Sequence, residues 1–387
     1  MKIIPLSLYI HLPWCVQKCP YCDFNSHTLQ TALPEEAYIQ ALLVDLKADY
    51  VRLQQVQDER PLHSIFLGGG TPSLFSPQAF QTLFTGIKTL FEFSSDIEIT
   101  LEANPGAIEH HAFEGFREAG INRLSLGVQS LQESKLKALG RIHGSSEALA
   151  AIESAKKAGF DNFNLDIMHG LPDQTPEEAL TDLKMALLTE PTHFSWYQLT
   201  LEPNTLFYKQ PPILPNDEIT WEIEQQGQAY LASQGYQQYE VSAYCKPQQE
   251  SRHNLNYWQF GDYVGIGAGA HGKITNSHTG EISRTWKIKH PTQYLKAAQR
   301  QESFLGAGTV ESIETKALPF EFMLNALRLN RPTSLDLFEE RTGLKKTVLD
   351  HVLKRAEQKQ LIIVQEGEII KTSLGARFLN NLIELFL

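Results

Sequence analysis

Cysteine is scarce in this sequence, with four in 387 residues. Three of them, Cys15, Cys19 and Cys22, fall within eight residues, and Cys245 stands alone. A disulfide framework spreads its cysteines and uses them in pairs, so this distribution argues against one. Positive charge is not in excess either: 34 Lys and Arg against 45 Asp and Glu give a net charge of −11. A non-specific nucleic-acid binder needs a basic stripe to displace counterions, so no nucleic-acid partner is expected. No stretch approaches the roughly 18 apolar residues of a membrane span. The opening MKIIPLSLYIHLPWC is interrupted by Pro5 and His11 and lacks the apolar core of a secretory signal. A cytoplasmic protein without a transmembrane segment is expected, and in a reducing compartment clustered thiols bind metal or act in catalysis.

Hydrophobic residues make up 42% of the chain, enough for a sizeable core. Short apolar runs at Leu6–Leu12, Ser64–Leu67, Ile97–Glu102, Arg123–Val128, Phe163–Met168 and His193–Leu201 read as strands. Stretches of helical spacing lie between them, such as Pro34–Leu53 and Pro77–Phe91, each opened by a proline where a helix tolerates one. Alternating strands and helices predict parallel βαβ units, and six such strands fit a partial (β/α)6 TIM-like barrel over residues 1–235. Residues 236–309 form a connecting region. It follows a helix at Trp221–Gln234 closed by Gly235, and holds a strand at Tyr236–Ala243, a polar segment His253–Trp258 and the glycine-rich GDYVGIGAGAHG at Gly261–Gly272. Residues 310–387 suggest helices at Phe320–Leu329, Leu335–Thr342 and Thr347–Lys359, then a hairpin around Gly367. That order is winged-helix-like, but 11 basic and 11 acidic residues from Glu311 onward favour a structural or partner-docking role over DNA.

Cys15-x3-Cys19-x2-Cys22 directly follows the first strand. In a parallel barrel this places it at the carboxyl-terminal face, where such barrels do chemistry. Thiolates are soft ligands for iron–sulfur clusters or zinc. A zinc site would need His11 or His27 as a fourth ligand, since no second cysteine arm is present. Three thiolates suit a [4Fe–4S] cubane, in which the fourth iron keeps an open position.

A CxxxCxxC motif after the first strand of a partial barrel resembles the radical-SAM superfamily. The longer strings SLYIHLPWCVQKCPYCDFNSH, GGGTPSL, EANPG, GVQS, DIMHGLPDQ and HNLNYW resemble the oxygen-independent coproporphyrinogen oxidase (HemN-like) family and, within it, the heme-chaperone HemW branch. The resemblance spans essentially the whole chain. It implies a [4Fe–4S] cluster on Cys15, Cys19 and Cys22, with S-adenosylmethionine chelating the open iron. It also implies that Tyr9, Tyr21, Gly69 and Glu102 contact this S-adenosylmethionine. Gly70, Thr71, Gln129, Arg141 and Asp166 match positions that the oxidase uses for a second one.

The sequence departs from the oxidase at two points. Phe24 stands where the oxidase motif continues to a fourth cysteine, and 14 residues precede Cys15, where the oxidase carries a longer arm. Both departures agree with the heme-chaperone branch, and that resemblance implies heme as cargo, heme-accepting proteins such as respiratory hemoproteins as partners, and a homodimer. His253 in HNLNYW is the candidate heme ligand, since an imidazole can ligate iron while aromatics cover the macrocycle. His271 is a second candidate, and Cys245 reads as a small buried hydrophobe. The alternatives are decarboxylation of coproporphyrinogen III and radical chemistry on RNA or another protein.

Overall fold

The computed structural model describes residues 4–106 and 112–387. Six parallel strands follow one another in the sheet: β1 (Leu6–Leu12), β2 (Leu62–Gly69), β3 (Phe93–Ala103), β4 (Arg123–Gln129), β5 (Phe163–His169) and β6 (His193–Gln198). The helices between them cover the outside, chiefly α1 (Glu35–Gln55), α2 (Pro77–Lys88), α3 (Phe113–Ala119), α4 (Ser145–Lys157) and α5 (Pro176–Leu187). Their termini follow local chemistry. Ser76 caps α2 by accepting from the Ala79 N–H, and Thr175 forms a reciprocal capping box with Glu178 on α5. Along α1, Tyr38, Leu42, Leu46 and Leu53 are buried, so its apolar stripe faces the sheet.

Residues 237–312 add strands to both edges of the same sheet, so the last of them crosses the boundary expected at residue 310. Beyond β6 lie β7 (Gln237–Glu240) and β8 (Ala243–Cys245), divided by a turn that interrupts the single strand expected at Tyr236–Ala243. On the other edge, β9 (Asp262–Ile266) runs parallel to β1, a seventh parallel strand drawn from the glycine-rich segment. It is followed by antiparallel β10 (His271–Thr275), β11 (Ile282–Lys287) and β12 (Leu305–Ser312). The glycines permit this closeness: a Cβ on Gly265 would lie 1.8 Å from the His271 carbonyl oxygen.

The inward face of the parallel strands is polar. Ser7, Ser64, Glu98, Thr100, Arg123, Asn164 and His193 are all buried on it. The polar segment His253–Trp258 lies in a helix, Arg252–Trp258, which closes the lower end of the barrel. Ser251 caps it, and the Glu98 carboxylate accepts from the N–H groups of Arg252 and His253 at 3.2 Å. An acid at a helix N-terminus satisfies donors that have no partner within the helix.

The carboxyl-terminal part has its own core around Phe322, Met323, Phe338, Leu349 and Ile369, with Phe260 and Ile282 contributed from the barrel side. Helices Leu318–Ala326, Leu335–Thr342 and Asp350–Gln358 pack with a small sheet in which Thr333–Ser334 pairs with the hairpin Ile362–Gln365/Glu368–Lys371.

Candidate cofactor site

The carboxyl ends of the parallel strands open into a cavity of about 360 Å³. Cys15, Cys19, Cys22, Tyr21, Gly69, Gly70, Thr71, Glu102, Gln129, Arg141 and Asp166 all line it. Residues separated by up to 151 positions, from Cys15 to Asp166, therefore meet at one mouth. Tyr9 lies next door, in an adjoining cavity of about 370 Å³ that shares Gly69 and Glu102 with the first. His253 is brought to neither cavity.

The cysteine loop is held by its backbone. Trp14–Cys15 pairs with His27–Thr28, Cys22 N–H donates to the Cys19 carbonyl at 3.1 Å, and Phe207 N–H donates to the Pro20 carbonyl at 3.0 Å. Both histidines considered for zinc make hydrogen bonds of their own. His11 uses one ring nitrogen on the Tyr9 hydroxyl and the other on the Asn25 carbonyl, and His27 bonds the Asn25 side chain. Among the described residues no three of His, Cys, Asp and Glu, the three cysteines included, stand close enough together to hold a metal ion. The donor chemistry at this mouth, three thiols without a fourth protein ligand, fits a cluster that leaves one iron open.

The glycine segment at the end of β2 uses its N–H groups within the protein. Gly69 N–H donates to the Glu102 carboxylate at 3.0 Å, Gly70 N–H to the Leu12 carbonyl at 2.8 Å, and Thr71 N–H to the Trp14 carbonyl at 2.7 Å. These donors are spent on tying the segment to Glu102, to the end of β1 and to the start of the cysteine loop. Glycine is needed for the approach. A Cβ on Gly70 would lie within 2.8 Å of backbone atoms of Leu12, Pro13 and Trp14, and Gly69 adopts φ +109°. Gly70→Ala is therefore expected to push the cysteine loop away and to cost about 1–3 kcal/mol, as overpacking does. Urea denaturation would check this, and an unchanged midpoint would show that the loop yields freely.

The polar wall carries two buried acids. Burial, then the charge of Asp166, pushes the Glu102 carboxyl up to about 8, against the Gly69 N–H that favours its ionised form. Asp166 is also raised by burial, opposed by bonds from Asn164, Ser195 and Ser125. Arg141 donates to Cys19 Sγ at 3.3 Å, to Asn104 Oδ1 at 2.9 Å and to the Gly127 carbonyl at 2.8 Å. Burial works against its charge, but Tyr21 and Cys19 outweigh it and raise its pKa. Gln129 sits at φ +69° beside a bulge in the β4–β5 pairing, with its side chain accepting from the Tyr197 hydroxyl at 2.8 Å. A left-handed non-glycine residue at a bulge is a feature that clusters at functional sites.

Three further residues of the mouth were missed. Asn104 bridges Thr71 Oγ1 and Arg141; it lies in the EANPG string, where it could have been found. Tyr197 follows from strand parity, since it shares the inward face of β6 with His193 and Ser195, and His143 reaches Arg141 at 3.4 Å. His253, in contrast, is 3% exposed in the closing helix, bonded to Ser64 at 3.0 Å and packed against Phe66 and Tyr9. Burial, then the charge of Arg123, lowers its pKa to about 3.

Residues 9–186 match the model of the Radical SAM superfamily, and residues 313–379 match that of the HemN C-terminal domain. Heme chaperone HemW of Haemophilus influenzae is 50% identical over 386 residues, covering 100% of this chain and 99% of that protein. The chain belongs to the HemW family. HemW of Escherichia coli is 49% identical over 100% of this chain and 99% of its own length, and HemW of Bacillus subtilis is 34% identical over 98% and 99%. The solved structure of the coproporphyrinogen III oxidase HemN from Escherichia coli, described as a radical-SAM enzyme, superposes with a TM-score of 0.82. It covers 99% of this chain and 90% of that one at 24% identity, so it establishes the shared fold. Radical-SAM proteins in general use a [4Fe–4S] cluster and S-adenosylmethionine, and the cavity of this HemW-family chain gathers the residue types such a pair requires. Among the described residues no helix is long and apolar enough to cross a membrane.

Proposed function

We propose that the chain is a heme chaperone built on radical-SAM machinery: it holds a [4Fe–4S] cluster, S-adenosylmethionine and heme, and delivers heme to acceptor proteins in the cytoplasm. The single observation that carries this reading is the convergence of three thiols and the polar ends of β2 to β5 on one cavity. Cys15, Cys19 and Cys22 would hold the cluster. Glu102 and the carbonyls of the Gly69–Thr71 segment would orient the methionyl group, with Tyr9 and Tyr21 beside it. Gln129, Arg141 and Asp166 would hold the outer part of the ligand or a second S-adenosylmethionine. When bound, the cluster supplies an electron for reductive cleavage of the sulfonium. Burial favours the neutral forms of Glu102 and Asp166, and a cationic ligand would offset that cost and draw them into the ionised form.

The same cavity is poorly suited to coproporphyrinogen, whose several propionates call for cations. Among its described lining residues Arg141 is the one Lys or Arg, and its guanidinium is committed to Cys19, Asn104 and Gly127. Glu102, Glu147 and Asp166 face the same space. Phe24, in the place of the oxidase cysteine, is 60% exposed at the rim. The chain reconstituted without oxygen, then given reductant, S-adenosylmethionine and coproporphyrinogen III, is expected to yield no protoporphyrinogen. The same preparation is expected to bind heme saturably with a Soret band. Turnover of the porphyrinogen would make it an oxidase and end the chaperone reading.

A further inference from the structure

We infer that His271 is the axial ligand of the bound heme, at an aromatic and cationic corner beside the cluster cavity. The inference rests on the heme-handling reading above and assigns the place of its cargo. An iron porphyrin is an apolar plate with an open axial position and carboxylates along one edge. A site for it needs a reachable imidazole, aromatic cover and a cation.

His271 opens β10 at the solvent-exposed rim, and among the described residues no hydrogen bond engages its ring. It lines the cavity of about 370 Å³ together with Tyr9, Phe24, Tyr257 and Lys289, and the carboxyl groups of Asp23 and Glu102 line the same cavity. Its ring lies 6.5 Å from that of Trp286. Partial burial, then the nearby charges of Lys289 and Arg284, lower its pKa, so at neutral pH the ring keeps a lone pair for iron. Lys289 is exposed and stands in no described ion pair. Phe24 offers an apolar face where a cysteine would have offered a thiol.

The sequence folds to make this corner. Asn25 donates to the carbonyls of Ala268 and Lys289 at 2.8 and 2.9 Å, which ties the cysteine loop to the glycine-rich segment. The glycines allow the contact. A Cβ on Gly267 would lie 2.3 Å from the His11 carbonyl oxygen, and one on Gly269 would lie 2.3 Å from the Asn25 amide nitrogen. The GAGAHG run thus presses against the loop and delivers His271 to its rim. His253 offers no comparable access, since the floor helix would have to leave the barrel before iron could reach it.

The test is a hemin titration of the full, cluster-loaded chain, read as difference spectra in the Soret region. His271→Ala is expected to weaken heme binding by about tenfold or more, as loss of a coordinating contact does, and to change the Soret position. Free imidazole should then restore the wild-type spectrum, and cluster iron and sulfide should stay unchanged. His271→Met should bind with an altered spectrum, and Lys289→Glu should bind severalfold more weakly. His253→Ala should keep the wild-type spectrum. If the wild type binds heme but His271→Ala and His271→Met share its spectrum and affinity, the assignment is overturned and the heme reading stands. If the wild type shows no saturable heme binding, both fall together.

Discussion

Cys19→Ala is expected to lose the iron–sulfur cluster and keep the fold. Without this thiolate two protein ligands are left, too few for a cubane that relies on three. The loop does not need the sulfur for its shape. The Cys19 contribution to the turn is its carbonyl, which accepts from Cys22 N–H, and the flanking segments are fixed by the Trp14–His27 pairing and by Phe207 N–H on Pro20. Arg141 loses its contact with Cys19 Sγ but keeps Asn104 and the Gly127 carbonyl. Iron and acid-labile sulfide after anaerobic reconstitution should fall to background, while far-ultraviolet circular dichroism matches the wild type. Phe24→Cys is the informative partner variant. Its added thiol stands beyond the three-cysteine set, so iron content should not rise. Wild-type iron and sulfide in Cys19→Ala would remove that cysteine from the ligand set.

Much of this arrangement was legible in the sequence because the fold writes its site at the ends of strands. The period of each apolar run marks a strand, the next polar or glycine residue marks its carboxyl end, and a parallel barrel brings all those ends to one mouth. Glu102 and Gln129 stand near such strand ends and Asp166 lies within a strand; the family resemblance assigns their roles, and all three share a cavity with the cysteines. What stayed hidden depends on partners distant in sequence. The helix at Arg252–Trp258 has no apolar period of its own, and its stabilising acid, Glu98, comes from β3. The strand Asp262–Ile266 was masked by glycines that signal turns locally but serve close packing here. The buried hub at Asp262, which binds Arg60, Lys273 and Thr275, likewise joins residues that no local pattern connects. The spent N–H groups of Gly69, Gly70 and Thr71 follow from the Glu102 carboxylate and the Leu12 and Trp14 carbonyls, which only tertiary structure brings near.

Glu102→Gln is expected to separate stability from ligand binding in opposite directions. The folded chain holds the Glu102 carboxyl up to about 8, through burial first and the charge of Asp166 second. In the unfolded chain the same group titrates near its ordinary value of about 4.3. Between those values the unfolded chain has released a proton that the folded chain still holds, so rising pH favours unfolding. The contribution of Glu102 to stability is therefore full below the lower value and is lost as pH climbs toward about 8. Glutamine has nearly the same shape, keeps an oxygen for the Gly69 N–H and carries no charge to bury. The ligand-free variant should be about 1–3 kcal/mol more stable than the wild type at pH 8, with the difference shrinking toward pH 5. On the proposed reading, the same change removes the negative charge that meets the methionyl ammonium, and S-adenosylmethionine affinity should fall by about tenfold or more, as loss of a charge-assisted bond does. Urea denaturation at the two pH values and calorimetric titration of the cluster-loaded protein read the two effects separately. A variant that is no more stable at pH 8 would show that Glu102 is solvated better than its surroundings suggest. Unchanged S-adenosylmethionine affinity would remove Glu102 from the site. If both effects appear, the protein keeps a carboxylate that weakens its own fold because the ligand requires that charge, a trade-off between stability and function at a single residue.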